Sequence, residues 1–220
     1  MRASHLLVCA VVTVLAMCAG LHAGIYFEQD LKMPARPGMP AGVTKQTCYI
    51  SGPKLRVESV TMGMESVALQ RLDLGKSYNL IPAQKLYMEM SIPKPTPQPA
   101  GQEPTVTVTK TEETKKIGKY TCTRYDITVG AETLKFWITE EVDLGGEMAE
   151  YWKVTSQSQP PKMAQEMSTV KGFPICMEMP SPQGPIVATV TTVKKQDIPD
   201  SMFEVPADYQ KMSMQMAPPR

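Results

Sequence analysis

Four groups of methionines sit two residues apart: Met62 and Met64, Met88 and Met90, Met177 and Met179, and Met212, Met214 and Met216. On a strand, that spacing turns two thioethers to one face. Thioether sulfur is a soft ligand that selects Cu(I). One candidate chemistry is therefore copper handling, with Met212, Met214 and Met216 in the tail as candidate metal ligands. The 17 methionines also support a second chemistry. A flexible, polarizable thioether fits irregular apolar guests. Met88, Met90, Phe136 or Trp137, Trp152, Met163 and Met167 are candidates to line a cavity for a lipid or another apolar ligand. The same stripes also suit a closed, fully packed core.

Catalytic chemistry finds little material. The two histidines are His5 and His22, both in the first 23 residues. The rest of the chain lacks the usual neutral-pH general base, a Ser-His or Cys-His pair and a histidine metal ligand. The acidic pairs Glu112-Glu113 and Glu140-Glu141 fall at expected strand ends. Neighbouring residues on a strand face opposite ways, so these read as solvated rim charges. The chain is read as a non-enzyme needing no cofactor. Beyond Cys9 and Cys18, Cys48, Cys122 and Cys176 remain, with no Cys-x-x-Cys. One bridge plus a free thiol, or three buried thiols, both fit; an oxidising compartment favours the bridge.

The start of the chain sets the compartment. Arg2 precedes an uncharged apolar run, Leu6 to Leu21, followed by small residues. The run is short for a bilayer span, which needs about 20 apolar residues. The order is that of a secretory signal peptide, residues 1–23, with cleavage expected after Ala23. Periplasmic or secreted localisation in a cell envelope follows, with no stable transmembrane segment after cleavage. Lipid anchoring through Cys18 is a less favoured route, because Met17 stands where a small residue is preferred. Losing Arg2 leaves basic and acidic residues balanced at 22 each. A neutral surface argues against nucleic acid and against attraction to anionic headgroups.

These residues must be positioned mostly by strands. Short alternating runs cover residues 25–33, 44–50, 54–62, 66–72, 77–81 and 85–91, then 105–110, 119–129, 133–140, 173–179 and 186–194. Prolines 93, 95, 97, 99 and 104 mark a surface excursion. A bulge near Thr123 would reconcile Tyr120 and Cys122 with Tyr125, Ile127 and Val129. Met148, Tyr151, Trp152 and Thr155 have helical spacing, as do Met163, Met167 and Val170 before Gly172. About eleven strands with short helices give a mainly β (α+β) fold, an antiparallel sheet that curls under helices on one face.

Gly118-Lys-Tyr-Thr-Cys122, Phe136-Trp-Ile-Thr-Glu-Glu-Val-Asp-Leu-Gly145, Gly172-Phe-Pro-Ile175 and Ile198-Pro-Asp-Ser-Met-Phe-Glu-Val-Pro206 with Ala-Asp-Tyr209 carry a resemblance. Together they resemble a family of uncharacterised secreted bacterial proteins, similar in architecture to the lipoprotein carriers LolA and LolB and to LppX-type proteins. The resemblance implies a curved, open antiparallel half-barrel over residues 24–211, helices in its concavity, and a flexible Met- and Pro-rich tail, 212–220. In the characterised relatives the concavity holds acyl chains. LolA begins with a helix, whereas residues 25–33 here alternate like a strand. An apolar-ligand binder is the first expectation, a Met-rich Cu(I) binder the alternative, and a structural envelope protein without a small ligand the third.

Overall fold

The computed structural model describes residues 21–93, 104–156 and 161–212. Residues 1–20, which hold most of the expected signal peptide and Cys18, most of the proline excursion and the tail beyond Met212 lie outside the described residues.

The first half is a meander. Strands β1 (Leu21–Met33), β2 (Gly42–Ser51), β3 (Lys54–Thr61), β4 (Met64–Arg71), β5 (Lys76–Ile81) and β6 (Leu86–Ser91) pair antiparallel in succession. The turns explain the tight spacing. Met62 and Gly63 both have positive φ, 51° and 77°, as a two-residue type I′ hairpin requires. Met62 therefore lies in the turn and Met64 starts β4, so the two do not share a strand face, which corrects the expectation for that pair.

The second half contributes β7 (Val106–Ile117), β8 (Tyr120–Val129), β9 (Glu132–Thr139), β10 (Phe173–Met179) and β11 (Ile186–Pro199). A short β12 (Gln210–Lys211) pairs parallel with β6. The sheet order is β12-β6-β5-β4-β3-β2-β1-β11-β10-β9-β8-β7. The two meanders thus meet where β1 pairs with β11. Among the described residues the sheet has twelve strands, close to the eleven or so expected, and stays open.

Three irregularities fall in the second half. Thr191 is an extra residue in β11, between the pairs Glu28–Thr192 and Gln29–Val190. It brings Val190 and Val193, which strict alternation would separate, onto one face. Ile175 is extra in β10. On β7, Thr111 to Glu113 face the single residue Arg124. The expected bulge near Thr123 thus lies in the partner strand, and β8 keeps its register with β9. Bulges bend and twist a sheet. The bend matters: β3 and β9 are five strand positions apart, roughly 24 Å across a flat sheet, yet both face one cavity.

Helix α1 (Glu147–Thr155) and helix α2 (Pro161–Met167) cover that concave face. Glu147 and Glu150 in the first turn of α1 and Lys153 in the last complement the helix dipole. Tyr151, Trp152 and Val154 are its buried residues. Tyr151 sits 6.0 Å from Phe27 and 5.1 Å from Phe173 between ring centroids, and Trp152 stacks on Phe136 at 6.3 Å. This aromatic cluster fixes α1 to the sheet, each such pair adding about 0.5–1.5 kcal/mol beyond area burial.

The opposite face carries a second, smaller core. Val67, Leu69 and Leu80 are buried there, with Tyr78, Tyr87, Val205 and Tyr209 packed against them. The chain after β11 crosses this face. Lys54 Nζ contacts Asp200 Oδ1 at 2.7 Å, and Arg56 and Arg71 donate to the carbonyls of Met202 (3.0 Å) and Phe203 (3.3 Å). These partly buried, charge-assisted bonds hold the C-terminal segment against the meander.

Candidate functional site

Alternation decides which residues reach the concavity. Register pairs Phe27 with Cys48, Gln29 with Gln46, and Tyr125 with Phe136, while Phe136 also pairs with Met177. Paired residues share a face. On this face a cavity of about 300 Å³ opens between the sheet and the two helices. Phe27, Leu31, Leu55, Val57 and Ala188 form part of its sheet wall, with Leu134, Phe136, Met177 and Met179. Tyr151, Trp152, Met163 and Met167 form its helical roof. Two other depressions, about 440 and 350 Å³, are larger, but charged residues such as Lys119, Glu140, Glu141, Lys194 and Lys195 line them. Their few apolar residues, Val142, Leu144 and Val193 in one and Ile138 in the other, are interleaved with these charges.

The cavity's electrostatics are simple. Its lining contains no Asp, Glu, Lys or Arg. Two weak acids do line it, and both are held neutral. Burial, aided by the nearby Glu58 charge, pushes the Cys48 thiol up to about 12. Burial likewise raises the Tyr151 phenol well above its ordinary range. The polar lining is a short amide ladder, Gln29 and Gln46, together with Thr155 and Ser156 at the end of α1. Gln29 Nε2 donates to Gln46 Oε1 at 2.7 Å, and Gln46 Nε2 donates to Ser59 Oγ at 3.2 Å. Two polar atoms here are buried without a hydrogen-bond partner among the described residues: Gln29 Oε1 and Trp152 Nε1.

Of the residues picked from sequence, Phe136, Trp152, Met163 and Met167 come together at this cavity. Trp137 does not. It faces the other side, donating to Glu178 Oε1 at 3.0 Å under the Lys115 ammonium, 3.7 Å from its ring centroid. Met88 and Met90 lie on β6, at the far side of the meander, opposite Asn79 and Ser77. Phe27 and Gln29 line the cavity too, as do Tyr151, marked in sequence only by helical spacing, and Met177 and Met179, marked only as a methionine pair. Of the tail methionines, Met212 is exposed, and Met214 and Met216 lie outside the described residues.

Other candidate chemistry is dispersed. Among the described residues no group of three His, Cys, Asp or Glu is gathered to hold a metal ion. Glu112 and Glu113 lie in the β7 bulge, not at a strand end, where Glu113 pairs with Arg124. Glu141 accepts from the Thr121 amide at 2.9 Å. Cys48, Cys122 and Cys176 are buried free thiols, the second of the two arrangements left open by the sequence and not the bridge that an oxidising compartment favours. They sit on β2, β10 and β8, each at least two strands from the next, roughly 10 Å. A disulfide needs Cα atoms within about 7 Å. Among the described residues no helix is long and apolar enough to cross a membrane.

No curated protein matches the sequence. Among solved structures, an uncharacterized conserved protein from Thermus thermophilus is similar over 87% of this chain and 90% of its own, with a TM-score of 0.51 and 10% identity. That likeness speaks to the fold alone. PNGF-II in a C2 crystal form aligns with 86% of this chain and 30% of its own, at TM-score 0.39 and 14% identity, too distant to carry an argument. The family comparison is more direct: residues 27–209, from the first aromatic of the cavity wall to the last tyrosine of the second core, match the domain of unknown function DUF4412, and the chain belongs to that family.

Proposed function

We propose that this protein is a non-enzymatic component of the cell envelope that holds a lipid or another apolar ligand between its sheet and its helices. One observation carries the reading: a cavity of about 300 Å³ with an apolar wall on both the sheet and the helix side. Small-molecule sites are commonly concave, mostly apolar and of about 300–1,000 Å³. Methionines at 163, 167, 177 and 179 give it an adaptable lining. The resemblance of the sequence motifs to a family similar in architecture to lipoprotein carriers stands beside this reading, with residues 25–33 in a strand where LolA begins with a helix. The test is native mass spectrometry of protein purified from its own host, with displacement of a fluorescent apolar probe. A retained apolar small molecule, or saturable probe binding, supports the proposal. Absence of both overturns it.

A second reading keeps the cavity and changes the guest. Four methionines line one space, and thioethers select Cu(I). Competition for Cu(I) with a chromogenic chelator tests it. Stoichiometric binding lost in a Met163→Leu, Met167→Leu double variant supports copper, and no uptake removes it.

A further inference from the structure

Strand register gathers three methionines on one face at the far edge of the sheet, away from the cavity. We propose that Met88, Met90 and Met212 form a binding site for a soft monovalent cation, Cu(I), at the β6–β12 edge. The site is separate from the cavity and does not depend on what the cavity holds.

Pairing fixes the face. On β6, Tyr87 lies opposite Leu80 and Glu89 opposite Tyr78, on the side of the second core. Met88 and Met90 alternate with them and so belong to the other, concave side. β12 runs parallel to β6, and Lys211 pairs with Tyr87. The next residue is Met212, whose N–H donates to the Tyr87 carbonyl at 2.8 Å. That bond carries the pairing one residue further and sets Met212 beside Met88, on the same face. Neighbouring strands lie about 4.8 Å apart, and alternate residues of one strand about 6.6 Å apart. Flexible side chains with three rotatable bonds let three thioethers converge across such distances. Two ion pairs hold the segment in this register: Lys211 with Glu89 at 3.2 Å, and Lys85 with Asp208 at 2.8 Å.

Packing does not occupy this trio. Met88 and Met90 are half-buried, Met212 is 39% exposed, and none of them belongs to either apolar core. The helices rest mainly on other strands, α1 on β1 and β2 and α2 on β7. The thioethers are therefore open to an arriving ion. Thioether sulfur is soft and selects Cu(I), while carboxylate and carbonyl oxygen suit harder ions. Thioethers are also neutral, so the bound ion keeps its charge, and a fully buried unpaired charge is strongly disfavoured. At a half-exposed edge, water stays beside the ion and screens it. The cysteines offer no accessible thiolate in competition. All three are buried, and burial pushes the thiols of Cys48 and Cys122 up to about 12 and about 11.

The experiment titrates Cu(I), kept reduced by ascorbate without oxygen, into the full mature chain against a weak chromogenic chelator. Uptake of one ion per chain is expected, with sulfur neighbours in the copper X-ray absorption spectrum. A Met88→Leu, Met90→Leu double variant and, separately, Met212→Leu keep volume and remove sulfur. Each is expected to weaken binding about tenfold or more. Met163→Leu, Met167→Leu, in the cavity roof, is expected to leave it unchanged. Thermal unfolding of each metal-free variant reports on folding. Uptake that survives in the folded Met88→Leu, Met90→Leu variant overturns the proposal. So does a loss confined to the cavity variant, or to a Met214→Leu, Met216→Leu variant of the tail. Absence of uptake by the folded wild-type chain also overturns it, and the apolar-ligand reading, which rests on the cavity, then still stands.

Discussion

Ala188 offers a way to ask whether the cavity is real space. It lies on β11 between Leu31 and Met177, is 2% exposed, and contributes to the cavity wall. Replacing it by leucine sends three further carbons into that space. Filling a void with carbon that water would otherwise touch is worth about 0.8 kcal/mol per methylene, an upper bound of about 2.4 kcal/mol. Lost rotamer freedom takes back about 0.5–1 kcal/mol, leaving a gain of about 1.5 kcal/mol. For a domain of this size that raises Tm by roughly 3–6 °C. The same carbons occupy part of the guest's volume, so apolar-probe affinity falls as stability rises. Differential scanning calorimetry on the ligand-free chain, with probe titration alongside, reads both. A Tm that falls by several degrees, with probe binding intact, would mean that Ala188 faces packed atoms, and the reasoning from the cavity would be refuted.

Three further outcomes follow from local geometry. Gly172 has φ +101°, and a Cβ there would stand 2.3 Å from the Thr139 carbonyl oxygen. Gly172→Ala should therefore lose about 1–3 kcal/mol in a urea titration, and an unchanged midpoint would contradict that contact. The Cys48 thiol, raised to about 12 by burial, should resist iodoacetamide in the native state and react at once in guanidinium; native labelling at a free-thiol rate would show it exposed. The hydrogen bond from Arg71 holds the Asp73 carboxyl below its ordinary value. A depressed folded-state pKa stabilises above the unfolded value and is lost as pH falls through the folded one. Acidification below about pH 4 should remove this contribution. Asp73→Asn should flatten that part of the stability–pH curve, and an unchanged curve would exclude the pair.

Period-2 alternation located most of the strands, because each has a face to bury; Leu69 and Leu80 on one side and Phe27 and Phe136 on the other are such cases. The i, i+3, i+4, i+7 spacing from Met148 to Thr155 marked α1 for the same reason. Alternation does not say which side of the sheet a face belongs to. Trp137 has the apolar bulk of a cavity residue, but its parity is opposite to that of Phe136, and Glu178 and Lys115 satisfy it there. Met88 and Met90 share a face, yet their distance from the helices depends on strand order, which is a long-range property. The bulges at Thr191 and Ile175 arise from pairing between strands remote in sequence, so single-strand patterns pass over them. Gln29 was legible only as a polar residue breaking the apolar alternation of Ile25, Phe27 and Leu31. The C-terminal segment shows little strand pattern because side chains of the meander, Arg56 and Arg71, hold its backbone.

The junction of β1 with β11 has a consequence for how the chain is made. β1 emerges first from the ribosome, yet one of its two edges finds no partner until Ile186 to Pro199 has followed. At about 5–20 residues per second that delay is roughly 10–30 s. Through that interval the nascent meander carries an open, half-apolar edge at its oldest strand, a hazard for association with neighbouring chains. Contacts of such long sequence separation also close slowly. The fold is thus completed only once its C-terminal strands have been made.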